Sequence, residues 1–305
     1  YILPILIKRV NDFFFQVADA AFHLHFNEIT DARSLLPSYA PFYIKDRKDT
    51  SVIFDMTIGD NLVSFIPDGE EIGTFDCGGI NHGIYKRPEG GYFITITDVG
   101  GKPACAMETS ADFSECRASL FGGDDLWRFG LNNALMIAFA FAGAHHDILL
   151  MHASVTMKDG YAYLFLGKSG TGKSTHSRLW REHIPGSDLL NDDNPAVRIG
   201  KDGSVSVYGT PWSGKTPCYR NLSLPVGAYL RLEQYSENVI FRETGAKSFA
   251  SVFSSCSSMM WDKPSYNAIL NTVSRIASSV PVYYLKCRAD KEAALLSFNT
   301  IASDK

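Results

Sequence analysis

Gly167-Lys168-Ser169-Gly170-Thr171-Gly172-Lys173-Ser174-Thr175 decides how the rest of the chain is read, because it fits G-x-x-x-x-G-K-[ST] at every fixed position. Glycine at 167, 170 and 172 lets the backbone take positive φ and brings N–H groups close to an anion. A helix opening near Lys173 adds unpaired N–H groups and the positive end of its dipole. In such a cradle the lysine reaches the β and γ phosphates and the Ser174 hydroxyl is a Mg²⁺ ligand. A chance glycine-rich turn is the plain alternative. Context favours the cradle. A β-like run from Tyr161 to Leu166 leads in, and a helical pattern from Ser174 to Ile184, stopped by Pro185, leads out. The expected nucleotide-binding residues are therefore Gly167, Ser169, Gly170, Thr171, Gly172, Lys173, Ser174 and Thr175, with ATP and Mg²⁺ as the expected ligands.

Reading outward, Asp159-Gly160 sits between two β runs, His152 to Met157 and Tyr161 to Leu166, which predicts a hairpin feeding the glycine-rich loop. Downstream, Asp188-Leu-Leu-Asn-Asp192-Asp193 reads as a short strand ending in two carboxylates. Alternation on a regular strand sends adjacent side chains to opposite faces. One aspartate can then ligate Mg²⁺ while the other accepts a proton from an attacking hydroxyl, and which takes which role is open. The plain alternative is a solvated turn before Pro195. His152, at the start of the hairpin, is a candidate site residue or a structural histidine. Gly209-Thr-Pro-Trp212-Ser213-Gly-Lys215 reads as a turn that offers stacking, hydrogen bonding and charge. Trp212, Ser213 and Lys215 are accordingly candidate substrate contacts, with Trp212 as a core plug the alternative. Arg178 and Arg181 read as surface residues.

The remaining elements follow from periodicity and caps. A second hairpin joins Ala196–Ile199 to Ser204–Tyr208 across Lys201-Asp202-Gly203. Helices are predicted from Asp124 or Asp125 to Ala144, from Ala246 to Ser255, from Pro264 to Ser279 and from Asp290 to Phe298, with a strand from Pro281 to Leu285. Residues before about 120 are rich in β-branched and aromatic runs, such as Ser51 to Ile66 and Tyr92 to Val99, divided by Gly and Pro clusters. His23 and His25 share a strand face. A metal pair is the sharper reading and an exposed face the plainer one. The expected organisation is a β-rich N-terminal domain, residues 1–123, ahead of a P-loop domain, residues 124–305.

A hairpin feeding the loop, then a strand ending in Asp-Asp, then another hairpin differs from the αβ crossover of most P-loop proteins. With His152-Ala-Ser, the loop itself, Leu190-Asn-Asp-Asp193 and Gly209-Thr-Pro-Trp-Ser-Gly-Lys215, it resembles the HPr kinase/phosphorylase and phosphoenolpyruvate carboxykinase superfamily, over roughly residues 125 to 290. The resemblance implies an α/β fold with a phosphoenolpyruvate carboxykinase-like mixed, twisted sheet flanked by helices. It also implies ATP on the loop and metal held by Ser174 with Asp192 and Asp193. In the kinase family one aspartate of the pair acts as base toward a protein serine, with a histidine nearby, which implies Asp192 or Asp193, and His152, here. The resemblance implies a kinase and, by analogy alone, a homo-oligomer. The further carboxykinase groups for oxaloacetate are not identifiable here, nor is the glycine-rich stretch with which HPr kinases engage their protein. The expected function is an ATP- and Mg²⁺-dependent phosphotransferase acting on a small molecule or protein. A carboxykinase-type enzyme and a nucleotide-gated binding module are the alternatives.

Composition sets outer limits. A formal net charge of −4 with no dense Lys/Arg run argues against nucleic acid as partner. The most apolar stretch, Ala134 to Met151, is broken by His145, His146 and Asp147, short of the ~20 residues a membrane span needs. The apolar start, Tyr1 to Ile7, is too short for a signal peptide. Six scattered cysteines without a CxxC pair read as free thiols rather than zinc ligands or disulfides, so a cytoplasmic location is expected.

Overall fold

The computed structural model describes residues 11–28, 32–45, 51–75, 82–214 and 216–302. The apolar segment at residues 1–7, Cys77 and Lys215 lie outside them. The protein is α/β, with two mixed sheets of eight and nine strands and seven helical segments among the described residues. Two compact units divide it, one within Tyr1–Gln16 and Ala20–Ala142, the other within Val17–Asp19 and Gly143–Lys305.

In the first unit the strands are β1 (Asp12–Val17), β2 (Ala20–Phe26), β3 (Val52–Ile58), β4 (Glu70–Phe75), β5 (His82–Lys86), β6 (Tyr92–Thr97), β7 (Pro103–Thr109) and β8 (Glu115–Leu120). Their order is β1-β2-β3-β8-β7-β6-β5-β4, so β4 to β8 form a meander and β3 joins it in parallel. Strand β3 stops at Ile58, short of the sequence expectation at Ile66, and β6 at Thr97. A short helix, α1 (Ala32–Leu35), precedes β3. The long helix α2 (Asp124–Ala144) has the predicted extent, with Asp124 and Asp125 in its first turn rather than at the cap, and it packs with this sheet. Phe139 meets Phe22 edge-on at 6.2 Å, and Phe141 lies 5.2 Å from Phe113. The division between the units therefore falls at the end of this helix, whereas the sequence reading set it at the start. His23 bridges Asp12 and Asp55, and His25 also bonds Asp12, on a partly exposed strand face.

The second unit contains β9 (Ile148–Leu150), β10 (Ala153–Lys158), β11 (Tyr161–Leu166), α3 (Lys173–His183), β12 (Asp188–Asp193), β13 (Ala196–Ile199), β14 (Val205–Tyr208), β15 (Ser223–Gln234), β16 (Val239–Glu243), α4 (Ala246–Phe253), α5 (Lys263–Ser279), β17 (Val282–Cys287) and α6 (Lys291–Ile301). Both predicted hairpins are present. Asp159 and Gly160 each take positive φ, 49° and 81°, which a tight two-residue hairpin turn requires. Asp262 and Asp290 cap α5 and α6 by accepting from Ser265 N and Ala293 N. The sheet order is β12-β10-β11-β15-β14-β13-β9, with β17 beside β15 and β16 outermost on β17. Strand β15 is shared. Its first residues pair with β14 in antiparallel fashion, and its second half runs parallel to both β11 and β17.

Alternation along β11 shows why this sheet is buried on both faces. Tyr163 and Phe165 pack with Trp180 of α3 and Ala294 of α6. Leu164 and Leu166 pack with Val252 of α4 and with Ile269 and Val273 of α5. A strand covered on both sides reads as a continuous apolar run, as Tyr161–Leu166 does. Burying each such side chain contributes about 1.5–3 kcal/mol, so β11 is a rigid platform for the loop that follows it.

Candidate functional site

The loop leaves β11 at Leu166 and enters α3 at Lys173. Gly167, Gly170 and Gly172 all have positive φ, at 147°, 80° and 100°. At Gly167 a Cβ would lie 2.5 Å from Thr171 Oγ1, so glycine is required by space as well as by backbone angle. Around Gly170 and Gly172 the space is open. Gly172 is the N-cap of α3 and offers no side chain to bond the first N–H groups of the helix. Those donors and the helix dipole face the loop. Ser169 and Gly170 are exposed, and Thr171 folds inward, its hydroxyl donating to Lys168 O at 2.8 Å.

Lys173 is the central group. Its Nζ donates to Gly167 O at 2.9 Å and to Lys168 O at 3.2 Å, and the residue is only 8% exposed. Burial pushes its pKa below the usual lysine value, while the charges of Asp193 and Asp192 pull it up. A buried ammonium held by two carbonyls, beside the uncapped start of a helix, is chemically suited to a polyanion such as phosphate.

Strand β12 brings the acidic pair to the same place. It pairs with β10, the outer strand of the hairpin, so Asp192 stands opposite Ser154 and Asp193 opposite Ala153. The two carboxylates diverge. Asp192 is 4% exposed and accepts from Ser174 Oγ at 2.9 Å. Asp193 has φ 121°, a left-handed angle that costs a non-glycine residue of order 1–3 kcal/mol. It turns to His152, whose Nε2 lies 3.2 Å from Asp193 Oδ1.

The 209–214 loop closes against this end of β12. Gly214 N donates to Asp192 O, Ser213 Oγ donates to the same oxygen at 3.1 Å, and Ser213 bridges Asp193 through the backbone. Thr210 donates to Asn194 O at 2.6 Å, and Asn191 donates to Thr210. Ser213 thus reaches the site, whereas Trp212 is 2% exposed and packed inside, which matches the core-plug alternative more closely than a stacking surface. Thr175 is half-buried in the first turn of α3, one residue past the site. Arg178 is exposed and paired with Glu182.

Three contacts were not read from the sequence. Gln234, at the end of β15, donates to Gly170 O at 3.0 Å and so touches the tip of the loop. Ser177 and Ser154 share a buried 2.6 Å hydrogen bond that pins α3 to β10. On the far face of α3, His176 bonds Ser297, which also accepts from Trp180 Nε1. Gln234 could be anticipated only by knowing that β15 lies parallel to β11.

The donor set suits Mg²⁺ shared with phosphate. Ser174, Asp192 and Asp193 supply hard oxygen ligands. No group of three or more His, Cys, Asp or Glu able to hold a metal exists among the described residues. Mg²⁺ commonly takes one or two carboxylates and keeps water and substrate phosphates for the rest. The residues therefore fit a metal that arrives with nucleotide. Comparison with protein-family models finds no match to this chain, and comparison with curated protein sequences finds none either.

Proposed function

We propose that the chain is an ATP- and Mg²⁺-dependent phosphotransferase that moves the γ-phosphoryl group of ATP to a hydroxyl of a small molecule or protein. The observation that carries this reading is the meeting of Lys173, Ser174 and Asp192. A P-loop lysine, a P-loop hydroxyl and a strand-end carboxylate converge, with the hydroxyl and carboxylate 2.9 Å apart. The phosphoenolpyruvate carboxykinase-like fold belongs to the same proposal. It is supported by β12 lying beside the outer strand of an antiparallel hairpin, in place of a parallel crossover. A cytoplasmic location is also proposed, and the five described cysteines support it as free thiols. No helix among the described residues is long and apolar enough to cross a membrane.

Bound ATP supplies the transferable phosphoryl group, and Mg²⁺ on its phosphates neutralises charge. The N–H groups at the start of α3 bind phosphate oxygens, and Lys173 exchanges its two carbonyl partners for them. Ser174 and Asp192, already 2.9 Å apart, would hold the metal. Asp193, strained and paired with His152, takes the proton of the acceptor hydroxyl as that oxygen forms its bond to phosphorus. The bond between the γ-phosphorus and the bridging oxygen breaks, and ADP leaves with that oxygen.

Calorimetric titration of ATP, with and without Mg²⁺, tests the reading. Wild type is expected to bind ATP more tightly with Mg²⁺, and Asp192→Asn to lose that metal dependence. Asp193→Asn keeps Mg²⁺-dependent binding but blocks ATP consumption. Absence of nucleotide binding to wild type at millimolar concentration rejects the proposal. Binding without consumption in the presence of any acceptor turns it toward the nucleotide-gated module.

A further inference from the structure

The nine-stranded sheet ends in a strand whose outer side pairs with no other described segment. Strand β16 pairs only with β17, so every second residue turns its backbone N–H and C=O outward. An open edge of this kind is a template for another strand, and proteins usually blunt it. The other sheet edges among the described residues are blunted. Ser213 bridges β12 and Tyr43 bridges β1. Strand β9 is three residues long, and β4 opens with Glu70 and Glu71 and shifts register before Gly73. Strand β16, Val239-Ile-Phe-Arg-Glu243, has no proline, no lysine and no register shift.

Its side chains are apolar where water reaches them. Val239 and Phe241 are 45% and 43% exposed. Alternation puts them on one face, opposite Lys286 and Tyr284, and Phe241 stacks on the Tyr284 ring at 5.3 Å. Ile240 and Arg242 turn to the other face, opposite Leu285 and Tyr283, which pack on the α6 side. Arg242 is exposed and makes no ion pair among the described residues. On that same side, just before the strand, Asn238 donates to Asp290, the N-cap of α6, at 2.9 Å. The edge therefore carries an unpaired cation at one end, a carboxylate near the other and apolar side chains between.

We propose that β16 pairs antiparallel with β16 of a second copy of this chain, about a two-fold axis at Ile240, so that two nine-stranded sheets join edge to edge. A two-fold axis normal to the sheet keeps its faces, so residues an even number apart in sequence stand opposite each other. The three inner residues of the strand are the possible centres. An axis at Arg242 sets guanidinium against guanidinium, which is unfavourable. An axis at Phe241 sets Arg242 against Ile240 and Val239 against Glu243. With the axis at Ile240, Val239 of each copy meets Phe241 of the other, and Ile240 meets its counterpart. Arg242 of each copy then stands opposite Asn238 of the other, beside Asp290. Only this register places apolar against apolar and cation beside carboxylate. The pairing does not depend on the nucleotide reading.

Sedimentation velocity of the full chain tests the pairing. A dimer is expected with a Kd of roughly 10 μM or below. Val239→Lys sets an ammonium against the Phe241 ring of the other copy, and Arg242→Glu sets a carboxylate near Asp290. Each should raise the Kd at least about tenfold. Both side chains are exposed, so circular dichroism and melting of the dilute monomers should match wild type. Oxidative cross-linking reads the register. A mixture of Val239→Cys chains with Phe241→Cys chains should form a disulfide-linked pair of one with the other, above the level wild type shows through its own cysteines. Neither variant alone should do so. A chain that stays monomeric at about 100 μM overturns the proposal. So does a dimer that neither the Lys nor the Glu variant weakens, or a disulfide between two Phe241→Cys chains.

Discussion

Protonating His176 should unlatch the helix that carries Lys173 and Ser174. The ring is buried between Phe165, which meets it edge-on at 4.8 Å, and Ser297, whose Oγ is 2.9 Å from Nε2. Ser297 donates its only hydroxyl proton to Ala294 O and accepts from Trp180 Nε1, so it can also accept from a neutral His176 carrying its proton on Nε2. Burial pushes the His176 pKa from 6.5 down to about 4. The unfolded chain therefore takes up this proton first as pH falls. Stability from this residue is full above pH 6.5 and declines through the window down to about pH 4. At 1.36 kcal/mol per unit the loss reaches about 3 kcal/mol at pH 4. The assay is urea unfolding at a series of pH values between 7.5 and 4, comparing wild type with His176→Gln. Other groups titrate in both proteins and cancel in the comparison. Wild type should lose about 3 kcal/mol more than the variant across the window. Parallel curves for the two proteins would refute the argument that a buried neutral imidazole holds α3 to α6.

Further outcomes follow from the cradle. Lys173→Met should weaken ATP binding by roughly ten- to a hundredfold, the worth of one or two charge-assisted hydrogen bonds, with little loss of stability in the absence of nucleotide; titration and thermal melting read the two effects. Gly167→Ala should destabilise the fold by about 1–3 kcal/mol, because φ is left-handed and the added Cβ meets Thr171. Gly170→Ala, in open space, should cost only about 1–2 kcal/mol by denaturant titration. Gln234→Ala should weaken nucleotide binding about two- to tenfold through loss of its bond to Gly170 O.

The parts of this molecule that were legible in the sequence are those set by neighbours along the chain. Asp159-Gly160 announced its hairpin because only certain residues tolerate that turn. The loop glycines announced positive φ, and Asp262, Asp290 and Pro185 marked helix ends. What stayed hidden depends on partners distant in sequence. Nothing local says that β12 pairs with β10, yet that pairing decides that Asp192 turns to Ser174 while Asp193 turns to His152. The departure of Asp193 from strand geometry, where Ser213 bridges it, is likewise not written in its neighbours. Trp212 offered an aromatic surface on paper, and only packing determines that the surface is spent inside. Helix α2 was found by its acidic start and its apolar run, but its apolar faces do not say which sheet they cover.

Strand β15 has a consequence for the order in which the loop and its surroundings are assembled. The strand flanking the phosphate loop arrives only after β12, β13 and β14 have been made, and Gln234 reaches Gly170 across that whole interval. Closing so long a loop must precede any reward from the contacts it brings, which slows folding in proteins of high contact order. A peptide holding just the hairpin, loop and α3 would carry every residue of the motif and still lack its wall. On the ribosome, the loop would lack this wall until β15 emerges, so a ligand of the proposed kind would assist only the last stage of folding and not its nucleation.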